Sequence, residues 1–95
     1  MIKQSVASLG VPKFSLGRLV VSAGVTEKIN PLYLLPSLCR HCAGNWRETE
    51  KTGNEYGLLY RSRIVSQHSD DNGRSFYIVT SSDRSQTILV LAEEY

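Results

Sequence analysis

Long apolar runs are missing from this chain. No uninterrupted stretch in its 95 residues exceeds about five, and a bilayer-spanning helix needs ~20. The start, MIKQSVASLGVPKF, has one early lysine but no apolar block, so it does not read as a signal peptide. These absences lead to the expectation of a soluble, cytoplasmic protein with no membrane partner. Cysteine is scarce as well. Two residues three apart cannot make a disulfide framework, which suits a reducing compartment. Neither sign of charge dominates: 11 Lys and Arg face 9 Asp and Glu, for a net charge of +2. That balance permits a polyanionic partner without pointing to one. No Gly-x-Ser-x-Gly elbow occurs, and AGNW and TGNEYG lack the glycine spacing and lysine of a phosphate loop.

What remains is ordinary globular material, with 41% hydrophobic and 21% charged residues. Residues 1–13 are small and polar and read as an N-terminal arm, with a single α+β domain over 14–95. A short strand is expected near 16–22 around RLVVS. One helical turn near 25–29 then stops at Asn30-Pro31, because the residue before a proline avoids helical geometry. A leucine-rich helix should follow, with Asn30 as N-cap and Gly44 as its stop. Its stripe would be Leu32, Leu35, Leu38, Cys39 and Cys42. Pro36 means that this helix kinks, or starts, near that point. Asn45 with Glu48 would cap a weaker helix over 48–58, with Tyr56 and Leu59 facing inward.

The last third is different. Strand-like runs at 60–68, 75–81 and 86–92 are separated by SDDNG and SSDRS, giving a three-stranded antiparallel meander. With the early strand, the expected fold class is α+β: one sheet with two or three helices on one face. Phe76 and Ile78 oppose Tyr77 and Val79, and Ile88 and Val90 oppose Leu89 and Leu91. Both faces are therefore apolar, and the second must be covered by the arm or offered to a partner.

CRHCAGNW, Cys39 to Trp46, is the stretch most suggestive of chemistry. A zinc site needs four ligands, and the chain offers only Cys39, Cys42, His41 and His68. On a helix, Cys39 and Cys42 lie about 60° apart while His41 lies about 200° from Cys39, so one ion would require unwinding. A site shared across a dimer is the other route. The pair sits at the end of its helix, the wrong end for an activated thiol. The thiols read instead as small buried hydrophobes, with no metal and no cofactor expected. Arg61, Arg63, Arg74 and Arg84, with Tyr60 and Tyr77, make the best binding candidate, Arg61 and Arg63 sharing a strand face. Arginine beside aromatics suits a protein hot spot, bases or phosphates. The plainer reading is a solvated face with Asp70, Asp71 or Asp83 as ion-pair partners. Trp46 is either an anchor for the inter-helix corner or a surface hot spot.

SLGRLVVSAG, RHCAGNW and VTSSDRSQTILVLAEEY together resemble a family of small, largely uncharacterised proteins of bacterial plasmids, phages and other mobile elements. Some carry restriction-related names. The similarity spans roughly residues 15–95. His41, Gly44 and Trp46 belong to the pattern; Cys39 and Cys42 do not. The chain departs at Asn45, where Asp is expected, and at Leu91-Ala92, where a proline is expected. The resemblance implies a mobile-element context without supplying an activity. The leading expectation is a non-enzymatic protein that binds and occludes a host protein, as an anti-CRISPR or anti-restriction inhibitor. It would act through the arginine–tyrosine face, with Arg61, Arg63, Arg74, Tyr77, Arg84 and Trp46 as contacts, or through the acidic tail Glu93-Glu94-Tyr95. The alternatives are a nucleic-acid-binding accessory protein and, third, a small metal-dependent or hydrolytic enzyme. A homodimer is compatible with each.

Overall fold

The computed structural model describes residues 11–95. Most of the expected arm lies outside them. The elements are β1 (Arg18–Val21), α1 (Ala23–Lys28), a 3-10 turn (Pro31–Tyr33), α2 (Leu34–Ala43), α3 (Glu48–Tyr60), β2 (Ile64–Ser69), β3 (Ser75–Thr80) and β4 (Gln86–Leu91), ending in a 3-10 turn (Ala92–Glu94). The fold is α+β. The sheet has four strands and is mixed, in the order β1-β4-β3-β2. β2, β3 and β4 pair antiparallel, as the turn sequences predict, while β1 lies parallel to β4, with Arg18 opposite Gln86. A three-stranded meander is therefore an incomplete description. Gly17 admits the fourth strand. Its φ is +63°, and a Cβ there would meet the Ser85 carbonyl carbon at 2.4 Å. Only glycine lets the two backbones come this close. The Arg18 N–H then reaches Ser85 O at 2.9 Å, and Ser22 N–H reaches Leu89 O at 2.9 Å.

Burial alternates along β2, β3 and β4. The inner face presents Ile64, Ser66 and His68, then Phe76, Ile78 and Thr80, then Thr87, Leu89 and Leu91, all buried. Val25, Ile29 and Leu38 pack there with Phe76, Ile78, Leu89 and Leu91, flanked by Leu16 and Leu34. The outer face presents Val65, Gln67, Tyr77, Val79, Ile88 and Val90, all half-buried.

Each helix has a local cause. Ser22 Oγ accepts the Val25 N–H at 3.1 Å and starts α1, while Asn30 Oδ1 accepts the Leu32 N–H and starts the 3-10 turn. Pro36 falls in the first turn of α2, where its missing N–H costs nothing. Gly44, at φ 81°, ends α2, with the Asn45 N–H on Arg40 O at 2.9 Å.

Two faces differ from expectation. The buried residues of α2 are Ser37, Leu38, His41 and Cys42, whereas Leu32 and Leu35 are exposed. The buried stripe therefore runs through serine and histidine, and Cys39 sits half-buried at its margin. In α3 the buried residues are Asn54 and Gly57; Tyr56 and Leu59 point outward. Small and polar residues are required there because α3 lies against β2. Asn54 Nδ2 donates to Val65 O (2.8 Å) and its Oδ1 accepts the Val65 N–H (3.1 Å), while Glu50 Oε2 accepts the Gln67 N–H (2.8 Å). The cap of α3 is also displaced from Asn45–Glu48: Glu50 Oε1 accepts the Arg47 N–H at 3.3 Å.

Candidate interaction surface

Polar groups are concentrated in three places, and only one of them faces outward from the sheet. The first is inside. His68 Nε2 lies 2.7 Å from Ser66 Oγ, which lies 2.6 Å from His41 Nδ1. His41 Nε2 is 2.9 Å from Thr80 Oγ1, which is 2.7 Å from Thr87 Oγ1. Thr87 Oγ1 donates to Leu16 O at 2.7 Å. A carbonyl can only accept, and a hydroxyl has one hydrogen, so this last bond orients the rest. Thr80 must donate to Thr87 and accept from His41 Nε2–H. With both histidines neutral, the form that burial favours, Ser66 donates to the bare His41 Nδ1 and accepts from His68 Nε2–H, which places both protons on Nε2. Burial, and then the neighbouring His68, pushes the His41 pKa down to about 3. Burial, with Arg40 and Arg47 nearby, lowers that of His68 to about 4.

His41, in the last turn of α2, therefore brings no positive charge to the carbonyl end of that helix. It is a fully buried, neutral part of the core. The Ser66–His41 contact has the distance of a nucleophile and its base. However, Ser66 is also fully buried, and the far side of the imidazole meets a threonine rather than a carboxylate.

The second place is the outer face. Arg63 precedes the inward Ile64, so it projects outward. Its guanidinium carbon lies 5.9 Å from the centroid of the Tyr95 ring, and that ring lies 4.9 Å from the ring of Tyr77. Cation, ring and ring make one array beside Val65, Val79 and Val90. Tyr95 is set there by the turn before it: Glu94 Oε1 accepts the Leu91 N–H (2.8 Å) and the Ser22 hydroxyl (2.7 Å). Those bonds lower the Glu94 pKa. The expected acidic tail is thus folded back onto the domain.

The third place is a cavity at one end of the sheet, where Arg61 and Arg84 converge. The arginines grouped by sequence thus separate. Arg61 is the left-handed cap of α3, at φ 57°, and β2 begins only at Ile64, so Arg61 and Arg63 share no strand face. Arg84 is a clamp: Nη1 donates to Ser62 O (2.7 Å) and Ser81 O (3.1 Å), and Nη2 to Gly57 O (2.9 Å). Arg74 is exposed in the β2–β3 turn and Tyr60 is exposed on α3, its ring 4.5 Å from that of Tyr56.

The aspartates shape turns, and Asp70 also feels the charge of Arg74. Asp70 takes the N–H groups of Asn30, Asn72 and Arg74, Asp71 takes the Asn30 side chain, and Asp83 takes the hydroxyls of Ser81 and Ser85. These bonds hold the carboxyls of Asp70 and Asp83 below their ordinary range, that of Asp83 at about 2.

CRHCAGNW forms a corner. Trp46 is half-buried, and its Nε1–H donates to His41 O at 2.9 Å, closing the end of α2. Both thiols are unpaired, and Cys42 Sγ reaches back to Cys39 O at 3.6 Å. Burial, then the adjacent Cys39, raises the Cys42 pKa, the opposite of thiol activation. Among the described residues, no three of His, Cys, Asp or Glu are placed to hold one metal ion. His41 faces the sheet from α2 and His68 lies on its inner face, and each ring has a hydrogen-bond partner within the chain.

Sequence reasoning named Tyr95 only as part of the acidic tail, apart from Tyr77 and Arg63, and missed Lys13, Phe14 and the two buried threonines. The one available signal was the pairing of Thr80 with Thr87 on adjacent strands. No family model, curated protein or solved structure matches the chain.

Proposed function

We propose that the protein is a small, non-enzymatic interaction protein, acting in the cytoplasm, that docks on a host protein through the outer face of its sheet. One observation carries this reading: the Arg63–Tyr95–Tyr77 array set beside half-buried Val65, Val79, Ile88 and Val90. Tyrosine and arginine dominate interface hot spots because they combine large contact area with polar ends, and a half-desolvated apolar surround strengthens them. The likeness to mobile-element proteins makes components of CRISPR and restriction machinery the first partners to test. The mechanism would be occlusion.

The test is capture from host extract with the wild-type chain and with Tyr77→Ala and Arg63→Ala, each checked for unchanged circular dichroism. A partner retained by wild type and lost by both variants supports the reading. A partner held equally by all three places the contact elsewhere and defeats it.

The same array favours a second reading, since stacked aromatics beside arginine on a sheet also suit unpaired bases. Binding of single-stranded DNA at low salt, lost steeply as salt rises and lost in Tyr77→Ala, would replace the first reading with this one.

A further inference from the structure

A cavity of about 480 Å³ opens at the end of the sheet, lined by Lys13, Phe14, Ser15, Leu58, Arg61, Asp83 and Arg84. Its volume falls in the range of small-molecule sites. The lining residues include three cations and one carboxylate, the Lys13 side chain lying over Gly44 at the rim. Asp83 Oδ1 is already taken by the Ser81 hydroxyl and by the hydroxyl and N–H of Ser85. Arg84 holds carbonyl oxygens of the α3 terminus and its neighbours. Arg61 and Lys13 are left as exposed charges, and burial, then the neighbouring Arg61, lowers the Arg84 pKa. Phe14 supplies an aromatic wall, with the Arg84 guanidinium carbon 5.6 Å from its ring centroid, and Leu58 adds an apolar surface.

A second observation points to the same place. Among the described residues, only two without a glycine's freedom have positive φ: Arg61 at 57° and Arg84 at 60°. Both line this cavity. A left-handed arginine is strained, and such strain collects at ligand clamps.

We propose that this cavity binds a small organic phosphate, a phosphomonoester on a flat or apolar body. A phosphomonoester carries nearly two negative charges near neutral pH, which matches the surplus of two positive charges lining the site. Arg61, Lys13 and the Ser15 hydroxyl receive the phosphate, and Phe14 and Leu58 receive the body. The site is separate from the outer face, so its occupancy does not depend on that interface.

Phenyl phosphate, inorganic phosphate and phenol are the probes, titrated into the ¹⁵N-labelled chain. Phenyl phosphate should shift the amides of residues 13–15, 58, 61 and 83–85 saturably. It should bind at least tenfold more tightly than inorganic phosphate, and phenol should leave these amides unmoved. Arg61→Gly removes the charge while fitting the left-handed position, so its melting temperature should hold or rise as phenyl phosphate affinity falls at least tenfold. Lys13→Met should weaken binding with the fold intact, and Tyr77→Ala should not change it. Unchanged affinity in Arg61→Gly, or equal affinity for phenyl phosphate and inorganic phosphate, overturns the proposal. So do shifts scattered over the surface without saturation.

Discussion

On the inner face of the sheet, the side chains from His68 to Thr87 form a hydrogen-bonded line ending on Leu16 O, every link pointing the same way. On the outer face, Arg63, Tyr77 and Tyr95 meet through a ring face and a cation, and Arg63 and Tyr95 are exposed. The two sets lie one strand thickness apart. The inner one has only internal partners and therefore acts on stability. The outer one keeps exposed groups at Arg63 and Tyr95, and recognition is the role proposed for it. Polar and aromatic residues of similar kinds thus take different roles according to which side of the pleat they occupy.

Removing the centre of the line should break this contrast most sharply. His41→Ala opens a cavity and strands Ser66 and Thr80, and should destabilise by about 3–5 kcal/mol in urea denaturation. Acid gives the next effect. Both histidines have folded pKa values below the usual 6.5, at about 3 and about 4. The unfolded chain therefore binds more protons between those values and 6.5, and stability is complete only above that window. As pH falls from 6.5 toward 4, stability should drop by about 1.4 kcal/mol per pH unit for each histidine. A denaturation series in His68→Gln should show a shallower slope, and an unchanged slope would refute the neutral assignment. Thr80→Val keeps shape but leaves His41 Nε2–H without an acceptor, for a loss of about 1–3 kcal/mol. Tyr77→Ala should cost under about 1 kcal/mol, as suits an outer residue, while abolishing partner capture.

The same division governs what the sequence revealed. β3 and β4 were legible almost to the residue, because SDDNG and SSDRS enforce turns and branched residues alternate between them. The end of α2 was legible because Gly44 has one conformational use there. The buried side of α2 was not. Leucines outrank serine and histidine on any hydropathy scale, so the stripe was drawn through Leu32 and Leu35. His41 lies inward because partners on the strands satisfy it, and those partners are distant in sequence: Ser66 is 25 positions away and Thr80 39. Ser37 Oγ is satisfied within its own helix, accepting from Arg40 Nη2 at 3.2 Å. Tyr56 and Leu59 were misplaced for the converse reason, since close approach to β2 requires Asn54 and Gly57. The candidate site was half legible. Tyr77 and Arg63 share a face by strand parity, but Tyr95 reaches them only through Glu94, and the left-handed turn at Arg61 removes it from the strand.

The pairing of Asn54 and Glu50 with the backbone of β2 has a consequence for self-association. At one margin of the sheet Val65 N–H, Val65 O and Gln67 N–H are taken by side chains, while β1 at the other margin pairs, among the described residues, with β4 alone. Growth by strand addition needs two sticky margins per copy to continue indefinitely. Side chains over Val65 and Gln67 obstruct strand addition at the β2 margin, and this works against a fibre growing along the sheet.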